Sequence, residues 1–124
     1  INIGFTIEIN NNGLKVLVIK DCTSLSYENI KKEYVYLLRK YIENKISQND
    51  LSKLTFTISD LSSVGDVYFH IPLLAANTSA ILGVAIDKSN NTLNLILTYD
   101  HQMSSGKEAL IFLTALKKKI IDLI

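Results

Sequence analysis

The chain has 124 residues, of which 48% are hydrophobic and 20% charged, a balance that excludes disorder. The length fits one domain with a real core. The 13 basic and 12 acidic residues leave a net charge of +1 with both signs interspersed, so no field points to nucleic acid or to an anionic membrane.

Residues 2–9 alternate, with Ile3, Phe5, Ile7 and Ile9 on one side and Gly4, Thr6 and Glu8 on the other. That is a strand period. Asn10-Asn11-Asn12-Gly13 is a hairpin turn signal. Residues 14–19 form the returning strand, apolar enough to be central in a sheet. Residues 24–26 offer a helix cap, with Glu28 in the first turn. Tyr27, Ile30, Tyr34, Leu37, Leu38 and Tyr41 then recur at helical spacing, which predicts a helix of about five turns. Asn49-Asp50-Leu51 reads as a short helical turn, and residues 54–59 alternate as a strand. Residues 60–66 are polar with Gly65 and read as a loop. Residues 80–86 and 92–99 are two strands around a second hairpin turn at Asp87-Lys88-Ser89-Asn90-Asn91. Residues 100–106 are a polar loop. Residues 107–123 are the last helix, with Leu110, Leu113, Leu116, Ile120 and Leu123 inward and Lys117, Lys118 and Lys119 near its C-terminal end. The order β-β-α-β-β-β-α predicts an α/β two-layer sandwich.

Residues 71–86 are interrupted by Pro72, Asn77, Thr78 and Ser79 and are too short to span a bilayer. Residues 1–9 show no signal-peptide pattern. Cys22 is the only cysteine, so no intrachain disulfide or thiolate metal cluster is expected, and a reducing, cytoplasmic setting fits. The chain opens on Ile1 rather than Met, which reads as a fragment, a processed product or an excised domain. A mean hydropathy of +0.21 is high for a small soluble monomer. Apolar surface is therefore expected to be covered by another copy or by further sequence.

Glycine-rich phosphate loops, H-E-x-x-H and G-x-S-x-G are absent from the sequence. The two histidines lie far apart, so no metal site is expected. His101 stands out, directly after a strand and just before a helix. The strand fixes its backbone, the loop exposes its ring, and an ordinary imidazole is a base near neutral pH. His70, between Phe69 and Ile71, reads as a packed or capping histidine. Cys22 lacks a basic cluster or partner histidine, so it does not read as a nucleophile.

Leu97-Thr98-Tyr99-Asp100-His101 with Gly106, followed by an amphipathic helix, resembles the D-H-R-x-x-D-G end of the catalytic domain of dihydrolipoyl acyltransferases. Asn2-Ile3-Gly4, then Gly13-Leu14 and residues 16–19, resemble that family's N-I-G and G-L-x-x-P-V-I run. Thr55-Phe56-Thr57-Ile58-Ser59-Asp60-Leu61 resembles its T-F-T-I-S-N-L. Ala80-Ile81-Leu82-Gly83-Val84 resembles its A-I-L-G-V. The matches keep family order and cover nearly the whole chain.

The resemblance implies the chloramphenicol acetyltransferase-like fold, with residues 1–124 as a single unit forming the C-terminal portion of the catalytic domain. It implies His101 as general base and Ser59 as hydrogen-bond donor to the oxyanion of a thioester under attack. Asp100, Ser105 and Gly106 would support the histidine loop. The acyl group would move from a thioester of CoA, a lipoyl group or a carrier protein to a thiol or hydroxyl acceptor. No covalently bound cofactor is implied. The implied partners are further copies in a trimer or larger assembly, an acyl carrier or lipoyl domain, and a separate N-terminal half.

The sequence departs from the family pattern at four points. Gln102 replaces the arginine after the histidine, Ser105 replaces the Asp or Asn before the loop glycine, Leu73-Leu74-Ala75-Ala76-Asn77-Thr78-Ser79 replaces the proline-rich turn before A-I-L-G, and Leu17 replaces the strand proline. The stretch from Gly83 to His101 is also short, which fits a stand-alone biosynthetic acyltransferase better than a dehydrogenase-complex core. The departures motivate a competing expectation, a catalytically degenerate structural or binding module of the same fold. A condensation-like domain fits less well, because Asp100 stands where such domains carry a second histidine.

Overall fold

The computed structural model describes residues 1–9 and 11–124. Five strands form one sheet: β1 (Ile3–Ile7), β2 (Lys15–Ile19), β3 (Phe56–Asp60), β4 (Ala80–Asp87) and β5 (Thr92–Tyr99). Two helices accompany them, α1 (Tyr27–Ile42) and α2 (Gly106–Leu123). Short 3-10 turns at Cys22–Ser24 and Gln48–Leu51 complete the order. The sequence of elements and the mixed α/β class are those read from the chain.

The strand order is β2-β1-β3-β4-β5. The outer pairs β1–β2 and β4–β5 are antiparallel hairpins, while β1–β3 and β3–β4 are parallel. The β1–β2 strands stop at Ile7 and Lys15, so their connection is longer than a two-residue turn. Gly13 has φ 79°, the left-handed conformation that glycine adopts without strain. Asn10 of that turn lies outside the described residues.

Strand alternation assigns the two faces. Ile3, Phe5 and Ile7 share a face with Leu17 and Ile19, with Phe56 and Ile58, and with Leu82 and Leu97. Both helices pack on this face. Leu17, Ile19, Cys22, Leu37 and Tyr41 form a buried cluster, and Ile3, Phe5, Ile7 and Ile9 pack against it. Phe5 meets Tyr34 of α1, and Phe56 meets Phe112 of α2. The Tyr41 hydroxyl donates to Gly13 O at 2.6 Å and accepts from Ile9 N at 2.9 Å, tying α1 to the first hairpin.

Four expectations need correction. β2 is an edge strand, not a central one. Its Leu17 and Ile19 are buried against Leu37 and Tyr41 of α1, and Val18, on the other face, is buried as well. Burial on a face is independent of lateral position in the sheet. In α2 the inward stripe is Ala109, Leu113, Leu116 and Ile120, whereas Leu110 and Leu123 are 65% and 86% exposed. A helix apolar on most sides does not reveal its buried stripe from periodicity alone. Tyr27, expected on the inward face of α1, is exposed at its first position. Lys117, Lys118 and Lys119 lie ahead of the last turn of α2, which carries no basic residue.

The opposite sheet face is crossed by a strap. Asn94 Nδ2 donates to Tyr68 O at 2.6 Å, and Thr98 Oγ1 donates to Pro72 O at 2.8 Å. Both side chains rise from β5 on the face away from the helices. The strap between these two anchors lies over Gly83.

Candidate active site

His101 begins the turn that follows β5, and it is exposed. Its ring lies 5.6 Å from the ring of Tyr99, centroid to centroid. Asp100 organises the turn. Its Oδ1 accepts from Gln102 N at 2.9 Å, and its carbonyl accepts from Met103 N and Ser104 N. Its own N–H donates to Ser79 O at 2.9 Å, fastening the turn to the start of β4. Asp100 therefore shapes the loop through its backbone and an Asx turn.

Ser105 ends the loop as the N-cap of α2. Its hydroxyl accepts from Glu108 N, and the Glu108 carboxylate accepts from Ser105 N, both at 3.2 Å. This capping box satisfies two helix-end donors reciprocally. Gly106 is the first helical residue, where a Cβ would stand 3.4 Å from the Tyr99 hydroxyl. The loop is thus closed at both ends, and its histidine is exposed beside Tyr99.

Ser59 is half-buried near the C-terminal end of β3. Its side chain shares the strap face with Gly83 and Thr6. Its Oγ accepts from Thr6 Oγ1 at 3.4 Å, a long contact that leaves the Ser59 O–H available to donate. Its carbonyl oxygen lies 3.0 Å from His70 Nε2. Neither neighbour was singled out as a partner of Ser59 from the sequence. The signal for Thr6 was its place on the polar side of the first strand, but only the sheet register brings it to Ser59.

Ser59 and His101 do not meet within one chain. Ser59 is level with Gly83, and Gly83 with Ile96. From Ile96 the β5 strand runs on through Tyr99, about 10 Å, before His101 is reached. The grooves flanking α1 are lined by Lys31, Tyr36 and Arg39 and by Lys20 and Asp50. Neither Ser59 nor His101 lines them. Among the described residues no group of three His, Cys, Asp or Glu side chains is gathered for a metal ion.

The family model described as 2-oxoacid dehydrogenases acyltransferase (catalytic domain) matches residues 1–123. One relative is the dihydrolipoyllysine-residue acetyltransferase component of the pyruvate dehydrogenase complex of Buchnera aphidicola subsp. Schizaphis graminum. It is 32% identical over 134 residues, covering 99% of this chain and 33% of the relative. The chain also superposes on Azotobacter vinelandii dihydrolipoamide acetyltransferase, in a structure concerned with a serine, a histidine and an asparagine in its catalytic mechanism. That match has a TM-score of 0.84 and 27% identity, covering 99% of this chain and 54% of the other. The cubic core of the pyruvate dehydrogenase multienzyme complex matches with the same TM-score of 0.84, 27% identity and 99% and 54% coverage. The chain thus spans about a third of the curated relative and about half of the solved chains. The match over residues 1–123 makes the chain a member of the 2-oxo acid dehydrogenase acyltransferase family, within its catalytic domain.

Proposed function

We propose that this chain is the C-terminal portion of a thioester-dependent acyltransferase domain and carries its general base and its oxyanion donor. The observation that carries the reading is the exposed His101 on a turn closed by Asp100 and by the Ser105 cap. In the reaction His101 takes the proton from a thiol or hydroxyl acceptor. The acceptor attacks the thioester carbonyl, and the Ser59 O–H donates to the resulting oxyanion. Collapse expels the donor thiolate, which recovers the proton from the imidazolium. A base of this kind supplies about 10²–10⁴-fold and one oxyanion donor about 10²–10³-fold. The donor is a thioester of CoA, a lipoyl group or a carrier protein, and the compact β4–β5 hairpin suits a stand-alone biosynthetic role.

Because Ser59 and His101 stand apart in one chain, the site is assembled between copies, with His101 of one facing Ser59 of the next. Exposed apolar side chains support an assembly of three or more. Leu110, Ile111 and Ile121 on α2, and Phe69 and Ile71 on the strap, are each at least 59% exposed. A separate segment equivalent to the remaining half of the solved relatives completes the substrate channel.

The second reading, a catalytically silent module, is favoured by one observation. The Azotobacter protein's asparagine is named with its serine and histidine, four residues after the histidine, where this chain has Ser105. The Ser105 hydroxyl is committed to capping α2.

The deciding experiment is acyl transfer from a panel of acyl-CoA thioesters to dihydrolipoamide, using the protein in its native assembly. Transfer that disappears in His101→Ala supports the enzyme. Undiminished transfer in that variant overturns the role of His101, and no transfer from any donor favours the silent module.

A further inference from the structure

His70 sits where the strap, the tip of β3 and a glycine of β4 converge. Pairing between β1 and β3 extends only to Ile58, so Ser59 lies past the paired register and meets β1 only through the long Thr6 Oγ1 contact. On its other side Ser59 is level with Gly83 of β4. At Gly83 a Cβ would stand 2.9 Å from His70 O, 2.9 Å from Pro72 Cδ and 3.1 Å from His70 Nε2. The glycine therefore makes the room that the histidine occupies. The strap is anchored on either side of His70, at Tyr68 O by Asn94 and at Pro72 O by Thr98. A ring held in this way reaches Ser59 O with its Nε2 at 3.0 Å.

We propose that His70 is a positioning residue for Ser59: its Nε2–H clamps the Ser59 carbonyl and so fixes the aim of the Ser59 hydroxyl at the oxyanion. This rests on the oxyanion role of Ser59 proposed above. A carbonyl oxygen has two lone pairs and can accept this bond in addition to any sheet bond. An oxyanion donor works through preorganisation, so a small displacement of its backbone lowers the rate. His70 itself touches no reacting atom. Its loss is expected to lower kcat with little change in KM.

The test is a double-mutant cycle on the native assembly, with His70→Phe, Ser59→Ala and the pair. His70→Phe keeps a ring and removes the donor, and is expected to lower kcat about tenfold. His70→Gln, which keeps a side-chain N–H, is expected to recover part of that loss. In the Ser59→Ala background His70→Phe is expected to cost nothing further. An equal cost in both backgrounds, or no cost in either, overturns the clamp. Unchanged kcat in Ser59→Ala alone overturns the oxyanion role instead. A measurement on the unmutated protein stands apart from the folding of any variant. The ¹⁵N shifts of the His70 ring are expected to show Nε2 protonated, and a ring protonated only at Nδ1 overturns the clamp.

Discussion

Ser59 and His101 occupy opposite ends of the same sheet. β3 runs parallel to β4 and β4 antiparallel to β5, so β3 and β5 point in opposite directions. Ser59 is near the C-terminal end of β3, and His101 lies just past the C-terminal end of β5. No side-chain rotation bridges that gap. A reaction using both must draw them from two chains.

The consequence is a complementation experiment. Ser59→Ala and His101→Ala assemblies are each expected to be nearly inactive. Co-assembled from equal amounts, they are expected to recover about a quarter of wild-type activity, because random mixing pairs an intact histidine with an intact serine at that frequency in a cyclic assembly. Activity is read on the whole co-expressed population, purified by one tag that both variants carry. A mixed assembly as inactive as its parents would show that the two residues do not act across an interface.

The legible and illegible parts of this fold divide along a physical line. Alternation in residues 80–86 and 92–99 located the second hairpin nearly to the residue, because strand period and turn chemistry are local. The edge position of β2 was not legible, since lateral order depends on which strand β1 meets next, 53 residues away at Phe56. The exposed Leu110 was misplaced because α2 carries apolar residues around most of its circumference. The exposure of His101 followed from strand-loop-helix order. The His70 contact with Ser59 did not, because it depends on the strap folding back across Gly83.

Ser105 gives a stability prediction separable from catalysis. Its hydroxyl is the acceptor for Glu108 N at the start of α2. Ser105→Ala is expected to cost about 1 kcal/mol, the usual loss for an N-cap. Ser105→Asn keeps a capping oxygen and is expected to hold stability within a few tenths. The comparison is made by urea denaturation at equal protein concentration. Equal loss in both variants would show that side-chain volume, not capping, sets the preference.

Lys40 and Asp50 predict a pH response. Lys40 Nζ lies 2.6 Å from Asp50 Oδ2, which also accepts from Ser47 N and Ser47 Oγ. Burial pushes the Asp50 carboxyl up, but the hydrogen bonds from Lys40 and Ser47 and the Lys40 charge outweigh it and hold the group below its ordinary 3.8. The Asp50 hydrogen bond raises Lys40 above its ordinary 10.5, against some desolvation. A lowered carboxyl stabilises the fold above its unfolded pKa and loses that contribution as pH falls through the folded value. A raised amine stabilises below its unfolded pKa and loses that contribution as pH rises through the folded value. Asp50→Asn is therefore expected to lower the thermal midpoint at pH 7. The difference is expected to shrink below pH 3.8 and again above pH 10.5. A midpoint difference independent of pH would mean that Asp50 acts through packing or capping alone.

Gly83→Ala probes whether the strap is a rigid part of the sheet. At Gly83 the nearest obstacles to a Cβ are the His70 carbonyl and the Pro72 ring, each 2.9 Å away. Neither is the free end of a flexible side chain. At Gly4 the obstacles are side-chain methyls, Leu54 Cδ1, which can turn aside, and Val16 Cγ1, which a stiff χ1 holds more firmly. Overpacking against backbone costs about 1–3 kcal/mol, whereas replacing glycine in a strand removes an entropic cost of about 0.5–1 kcal/mol. Gly83→Ala is therefore expected to be the more destabilising of the two. It is also expected to lower kcat, because the displaced strap carries His70 away from Ser59. Urea midpoints and steady-state rates on the same preparations check both. If Gly83→Ala is as stable as the parent and fully active, the strap yields freely and exerts no hold on Ser59.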